Sequence, residues 1–279
     1  MTVVYYSEGA KVENMETTSL TSSMFWCAFA AFFTNVCAHI NILPPTEGRT
    51  AFEREQYVHA APLLEAECQS NDYYSCAYLG YANRFGLGVA RNDTQSKELY
   101  EKACLNGVSE ACFHLGLVLQ LEGSANNQID AINSGQTFVE YYDKACTAES
   151  EIACFMLGEA YSRGMGIQTD KTKALDYYEK ACYLFSMQGC DRLGFAYSTG
   201  DGVTVDKRRA YFLFIRACDG GVARACYSLG MAYLNGEGVR TNPQAAKRAF
   251  LHALEIEPMY DPAVEELTRM GLRESYGKE

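Results

Sequence analysis

The sequence predicts an all-α protein: a right-handed superhelical solenoid of about six antiparallel helix pairs, stapled by disulfides. Three recurring features carry that expectation. Cysteines fall in pairs eight residues apart, at Cys68 and Cys76, Cys104 and Cys112, Cys146 and Cys154, Cys182 and Cys190, and Cys218 and Cys226. From pair to pair the step is 36, 42, 36 and 36 residues, and self-similarity at such a period marks a repeat array. Each second cysteine is followed at one offset by a Leu–Gly step: Leu79–Gly80, Leu115–Gly116, Leu157–Gly158, Leu193–Gly194 and Leu229–Gly230. Four units then close on Gly-x-Gly, at Gly86/Gly88, Gly164/Gly166, Gly200/Gly202 and Gly236/Gly238.

Each unit reads as two helices, the first ending near the first cysteine and the second starting near its partner. Twelve residues before each first cysteine stands Asn92, Ser134, Asp170 or Asp206, and Asn242 takes the same place in the last unit. All are good N-cap residues, whose side-chain oxygen accepts a free amide of the first turn. Pro243 directly after Asn242 suits the first helical position. Lys102, Lys144, Lys180 and Arg216 stand two before the first cysteines, where a cation offsets the negative end of a helix. The glycine pair ends the second helix, because glycine adopts the left-handed conformation that helix ends favour. A phosphate-binding loop is excluded: the glycines follow a helix rather than a strand, and no lysine follows in place. The 42-residue step lies in the loop EGSANNQIDAIN, since insertions in stacked repeats fall between helices. The units run at about 51–91, 92–133, 134–169, 170–205, 206–241 and 242–279, the last serving as a cap.

The chain has 279 residues, 48% hydrophobic and 21% charged, as a folded chain requires. Its net charge of -11 repels nucleic acid and anionic membrane. The basic run Lys207, Arg208, Arg209 reads as a solvated helix start. Near the N-terminus, Met24 to Phe33 form an apolar run too short to span a membrane. It suits the core of a signal peptide cut after Ala38, so that residues 1–38 are a leader and 39–279 the solenoid. The alternative is an amphipathic capping helix on the first repeat, since residues 1–23 carry one lysine against three glutamates. A cut after Ala38 removes Cys27 and Cys37 and leaves ten cysteines, all within the repeats.

The cysteine offset spans a helix end, a tight turn and a helix start. In an antiparallel hairpin those positions face each other within disulfide range. Each bridge closes a loop that chain entropy values at about 2.6 kcal/mol. The last unit supports pairing: Leu254 and Pro262 stand where both cysteines would, so the two are lost together. Zinc is the poorer reading, because His39, His59, His114 and His252 keep no fixed offset from the cysteine pairs. Bridged pairs imply an oxidising compartment: outside the cell or the periplasm, or in a eukaryote the mitochondrial intermembrane space.

Units such as SKELYEKACLNGVSEACFHLG and AYFLFIRACDGGVARACYSLGMAYLNGEGV resemble the Sel1-like repeat, a relative of the tetratricopeptide repeat. The cysteine pairs resemble its disulfide-rich branch, typified by the Helicobacter cysteine-rich proteins. That resemblance implies a scaffold binding a protein or peptide of the cell envelope or a host along a concave face. Members of the branch have been named penicillin-binding proteins or weak β-lactamases, which implies as an alternative a β-lactam or cell-wall peptide ligand. The residues offer no such chemistry. Thr94-x-x-Lys97 is the nearest match to a nucleophile element, and the companion Ser-Asp-Asn and Lys-Thr-Gly elements are missing. We expect no cofactor, no metal, no nucleic acid partner, no membrane span in the mature chain, and a monomer. Tyr100, Tyr142, Tyr178, Phe214 and Phe250 share one register, four before the first cysteine, and read as packing between helices. Tyr141 and Tyr177, one residue earlier, share their place with Leu99, Leu213 and Ala249. Positions that vary between repeats are where a solenoid encodes binding, so these two tyrosines are the candidate groove contacts.

Overall fold

The chain divides into two units, Met1–Pro45 and Thr46–Glu279. The computed structural model describes residues 45–125 and 138–271. The expected leader, the cap at Ser134 and the insert beyond Ala125 lie outside the described residues. Within the second unit the described residues form thirteen helices and no strand. A short helix, α1 (Glu47–Glu53), is followed by six antiparallel pairs. These are α2 (Tyr57–Gln69) with α3 (Tyr73–Phe85), α4 (Asp93–Leu105) with α5 (Ser109–Ala125), and α6 (Phe138–Thr147) with α7 (Glu151–Arg163). Then come α8 (Lys171–Tyr183) with α9 (Met187–Thr199), α10 (Lys207–Asp219) with α11 (Ala223–Asn235), and α12 (Pro243–Ile256) with α13 (Asp261–Arg269). Each second helix packs on its own partner and on the first helix of the next pair, which is the arrangement of a solenoid.

The caps explain where the helices begin and stop. Asn92, Asp170, Asp206 and Asn242 each accept a hydrogen bond from the amide three residues on. Second helices α7 and α9 are capped in the same way by Ser150 and Ser186, and α3 by Asp72, which accepts from the amide two residues on. Gly86, Gly164, Gly200 and Gly236 end their helices in the left-handed conformation. Where the glycine is missing the helix runs on: Glu122 occupies the stop position, and α5 extends to 17 residues against 13 for its counterparts. The second glycine of each pair has a different task. At Gly88 and Gly238 a Cβ would collide with the Tyr57 and Lys207 carbonyls, so the loop lies directly on the start of its own first helix.

The Leu–Gly step is a seat for the next repeat. Tyr100, Tyr142, Tyr178, Phe214 and Phe250 are all buried. Each lays its ring on the glycine of the preceding second helix, at Gly80, Gly116, Gly158, Gly194 and Gly230. A Cβ there would sit 3.0 Å from Tyr100 at Gly80 and 2.8 Å from Tyr142 at Gly116. The fixed-register aromatics therefore act as keys between units. Helix α1 is tied on separately. Glu67 accepts hydrogen bonds from Thr46 Oγ1 (2.6 Å), Ser75 Oγ (2.7 Å) and the Gly48 amide (2.8 Å). Burial pushes its carboxyl up, but those bonds and the Arg49 charge outweigh it and hold the pKa below the ordinary value.

Candidate functional site

The hairpin turns bring the cysteines together. Cys68–Cys76, Cys104–Cys112, Cys146–Cys154, Cys182–Cys190 and Cys218–Cys226 each lie at bonding distance, with S–S between 2.01 and 2.09 Å. Each bridge joins the last turn of a first helix to the first turn of the second. In the second unit the basic residue two before the cysteine reaches backwards over the preceding bridge. Lys102 Nζ donates to the Cys68 carbonyl at 3.0 Å and lies 3.9 Å from Cys68 Sγ. It thus meets the carbonyl end of α2, in the previous repeat, rather than only its own helix. In the last unit this register holds His252, one period after Arg216. Its Nδ1 lies 3.4 Å from Cys218 Sγ and 3.7 Å from Cys226 Sγ. The sequence alone gives His252 no such place: its register reads as that of a helix-end cation, and the histidines keep no fixed offset from the cysteine pairs. Counting 36 residues on from Arg216 would have found it.

Both candidate groove tyrosines lie where consecutive first helices meet. Tyr141 is 4% exposed and lies among the core residues, with Lys144 Nζ 4.9 Å above its ring and its hydroxyl 3.4 Å from Glu101. It is thus withdrawn from the open face expected for a groove contact, because its ring fills the space between α4 and α6. Tyr177 is half-buried and donates to Asp143 Oδ1 at 2.9 Å. Its ring stacks on Tyr161 at 5.5 Å, with Lys173 Nζ 5.2 Å above Tyr161. Burial first, and then the bond to Asp143, pushes the Tyr177 phenol up. One repeat on, Arg209 lies 4.3 Å over Tyr197 and pairs with Glu179. First helices are thereby linked to one another by polar contacts on a face that also carries aromatic rings.

A small cleft of about 100 Å³ opens between the third and fourth pairs. Its floor is Glu159 of α7, which accepts a hydrogen bond from Tyr178 Oη at 2.7 Å. Two guanidiniums flank that carboxylate, Arg163 at 2.6 Å and Arg192 at 2.8 Å. Lys171 lines the cleft and pairs with Asp201 at 3.0 Å. Three cations thus face two carboxylates, a locally positive spot in an acidic chain. The Glu159 position holds Tyr81, Leu117, Phe195 and Met231 in other units, so the cleft is peculiar to this pair. Farther along, Asp191 is 3% exposed and takes the Arg224 Nε proton at 2.7 Å on Oδ2, while its Oδ1 lacks a protein partner. Burial pushes its carboxyl up against the opposing pull of Arg224.

Elsewhere, Lys97 is tied to Glu122 at 3.1 Å, and Thr94 lies in the first turn of α4. That pair is helix surface in an ion pair. His114 stacks on Tyr100 at 5.4 Å, and burial lowers its pKa. No helix among the described residues is long and apolar enough to cross a membrane.

The Sel1 repeat model matches residues 74–108, 152–184, 188–222 and 223–248. Three of these segments pair a second helix with the first helix that follows, so they include the glycine seat and its aromatic. Cytochrome c oxidase assembly factor 7A of Xenopus laevis is 32% identical over 129 residues, 44% of this chain and 54% of that one. The chain therefore spans about half the length of the curated relative it matches. Among solved structures, a Sel1 repeat protein from Oxalobacter formigenes superposes with a TM-score of 0.68 at 24% identity, covering 81% of this chain and 92% of that one. Likeness at that level speaks for the fold alone. Helicobacter pylori cysteine rich protein B is 29% identical, covering 52% of this chain and 100% of that one, with a TM-score of 0.39 that supports no argument. The repeat matches and the stacked pairs agree: the chain carries Sel1 repeats, stacked as helix pairs.

Proposed function

We propose that this protein is an interaction scaffold that holds a protein or peptide partner on the surface of its stacked helix pairs. Sel1 repeats mediate protein interactions as a class, and the fold is the scaffold fold of that class. The cleft at Glu159 carries the reading to a chemistry. Its cationic rim, set in a chain of net charge -11, would receive an acidic side chain or a terminal carboxylate of the partner. Leu175 and Phe195, which line it, would supply apolar contact area. The five bridges suggest an oxidising compartment. We take this to be the periplasm or the outside of the cell, with the mitochondrial intermembrane space as the alternative in a eukaryote. The relative named as an assembly factor favours a partner that is itself being assembled.

The test is capture of a partner from such a fraction by the oxidised chain and by two charge reversals, Arg163→Glu and Lys171→Glu. Arg163 is 58% exposed, so its reversal removes no packed side chain, and Arg192 still pairs with Glu159. A partner retained by the native chain and lost by both variants supports the proposal. A partner retained equally by all three removes the cleft from it. Turnover of a chromogenic cephalosporin by the purified chain would replace it with the β-lactam reading.

A further inference from the structure

We propose that the fifth cysteine pair, once reduced, forms with His252 a three-ligand site for Zn²⁺. Among the described residues, Cys218, Cys226 and His252 are brought together with their ligand atoms within 4.8 Å of one another. Tetrahedral zinc with bonds of about 2.3 Å to sulfur and about 2.0–2.1 Å to nitrogen has an S···N edge of about 3.6 Å. His252 Nδ1 already stands 3.4 and 3.7 Å from the two sulfurs. Two thiolates and an imidazole are the donor types a borderline-soft cation selects. Three protein ligands leave the fourth position to water.

The other four pairs differ at one point. Their overlying register holds Lys102, Lys144, Lys180 and Arg216. A charged ammonium or guanidinium has no lone pair to offer a metal. His252 alone places a neutral nitrogen donor over a cysteine pair, on α12, a helix anchored by the buried Phe250 and Leu254.

The chemistry balances with a dithiol reductant. It gives two electrons to the Cys218–Cys226 bond, which breaks and takes up two protons as two thiols, while the reductant leaves as its own disulfide. Zn²⁺ then displaces both thiol protons to solvent and accepts the Nδ1 lone pair of neutral His252. Metal and disulfide are alternative occupants of one hairpin end.

The experiment uses the full chain, reduced with a phosphine without oxygen and given one equivalent of Zn²⁺. Alkylation followed by peptide mass spectrometry reads each cysteine. Cys218 and Cys226 should be protected by on the order of tenfold or more over the other pairs, since losing even a supporting residue costs a metal site 10–100-fold. His252→Lys restores the residue type of the other units, and His252→Gln keeps an uncharged side chain. Both should abolish the protection. Lys180→His should transfer protection to Cys146 and Cys154, which separates the geometry of the register from any peculiarity of the last unit. With Co²⁺ in place of zinc, the native chain should show thiolate-to-cobalt charge transfer that both His252 variants lack. Protection spread evenly over the five pairs, absent altogether, or unchanged in His252→Lys overturns the proposal.

Discussion

Replacing Gly116 by alanine sets two effects of known sign against each other. Alanine in a helix interior is better than glycine by about 0.8–1.0 kcal/mol, so on propensity alone α5 gains. The new methyl would sit 2.8 Å from both Cδ1 and Cε1 of Tyr142 and 3.2 Å from the Phe138 carbonyl oxygen. Carbons rest at about 3.5 Å or more, so the ring would have to retreat by roughly 0.7 Å. It is poorly placed to do so. Tyr142 is fully buried, its hydroxyl donates to Gln120 at 2.7 Å, and Phe113 and Phe138 contact its ring. Overpacking of this kind costs about 1–3 kcal/mol. The net expectation is a destabilisation of about 1 kcal/mol, read as a lowered denaturant midpoint at constant slope. The decisive measurement is the same substitution in a Tyr142→Ala background. With the ring gone propensity is opposed only by the 3.2 Å approach to the Phe138 carbonyl, and Gly116→Ala should then cost little or stabilise by less than about 1 kcal/mol. A coupling energy within about 0.5 kcal/mol of zero would refute the seat, because residues in contact do not behave additively.

The same geometry separates two kinds of left-handed glycine. Gly107 has φ 88° with nothing within 4 Å of a new Cβ, so Gly107→Ala should cost only the conformational term of about 1–2 kcal/mol. Gly238→Ala adds a collision with the Lys207 carbonyl and should cost clearly more by thermal unfolding. Removing the third bridge with Cys146→Ala and Cys154→Ala together should lower stability by about 2.6 kcal/mol or more, by the same denaturant assay. Acid should destabilise the chain in two separable windows. His114 has its pKa lowered by burial, so its contribution is complete above 6.5 and is lost as pH falls below it. Glu67 has its carboxyl held down, so its contribution is complete above 4.5 and lost as pH falls further. His114→Phe should flatten only the upper window and Glu67→Gln only the lower, in stability measured against pH.

What could be read in advance was local. Capping by Asn92, Asp170, Asp206 and Asn242 depends on the next three residues, and helix closure at Gly86 or Gly236 on the preceding turn, so fixed offsets carried them. The aromatic keys were legible as packing because five units repeat them. Contacts between second helices were not. Arg192 reaches Glu159 across 33 residues, and Arg224 reaches Asp191 across another 33, and both depend on how neighbouring pairs lie. No periodic residue type announces either. Tyr141 shows the same limit from the other side: variation between units marked it as a contact, while its burial is set by the helix stacked beside it. His252 was missed although its register was aligned at Leu254, since a position that reads as a helix-end cation gives no reason to look for contact with the preceding bridge.

The bridges all join consecutive cysteines eight residues apart, and none ties one pair of helices to another. A chain that meets an oxidant end-first can therefore close each bond before the next cysteine pair arrives. The oxidant has no rearrangement to correct as long as it works faster than one repeat is delivered. Covalent order is then written in the sequence of emergence, and the stacking of one pair on the next is left to packing alone, between links sealed one at a time.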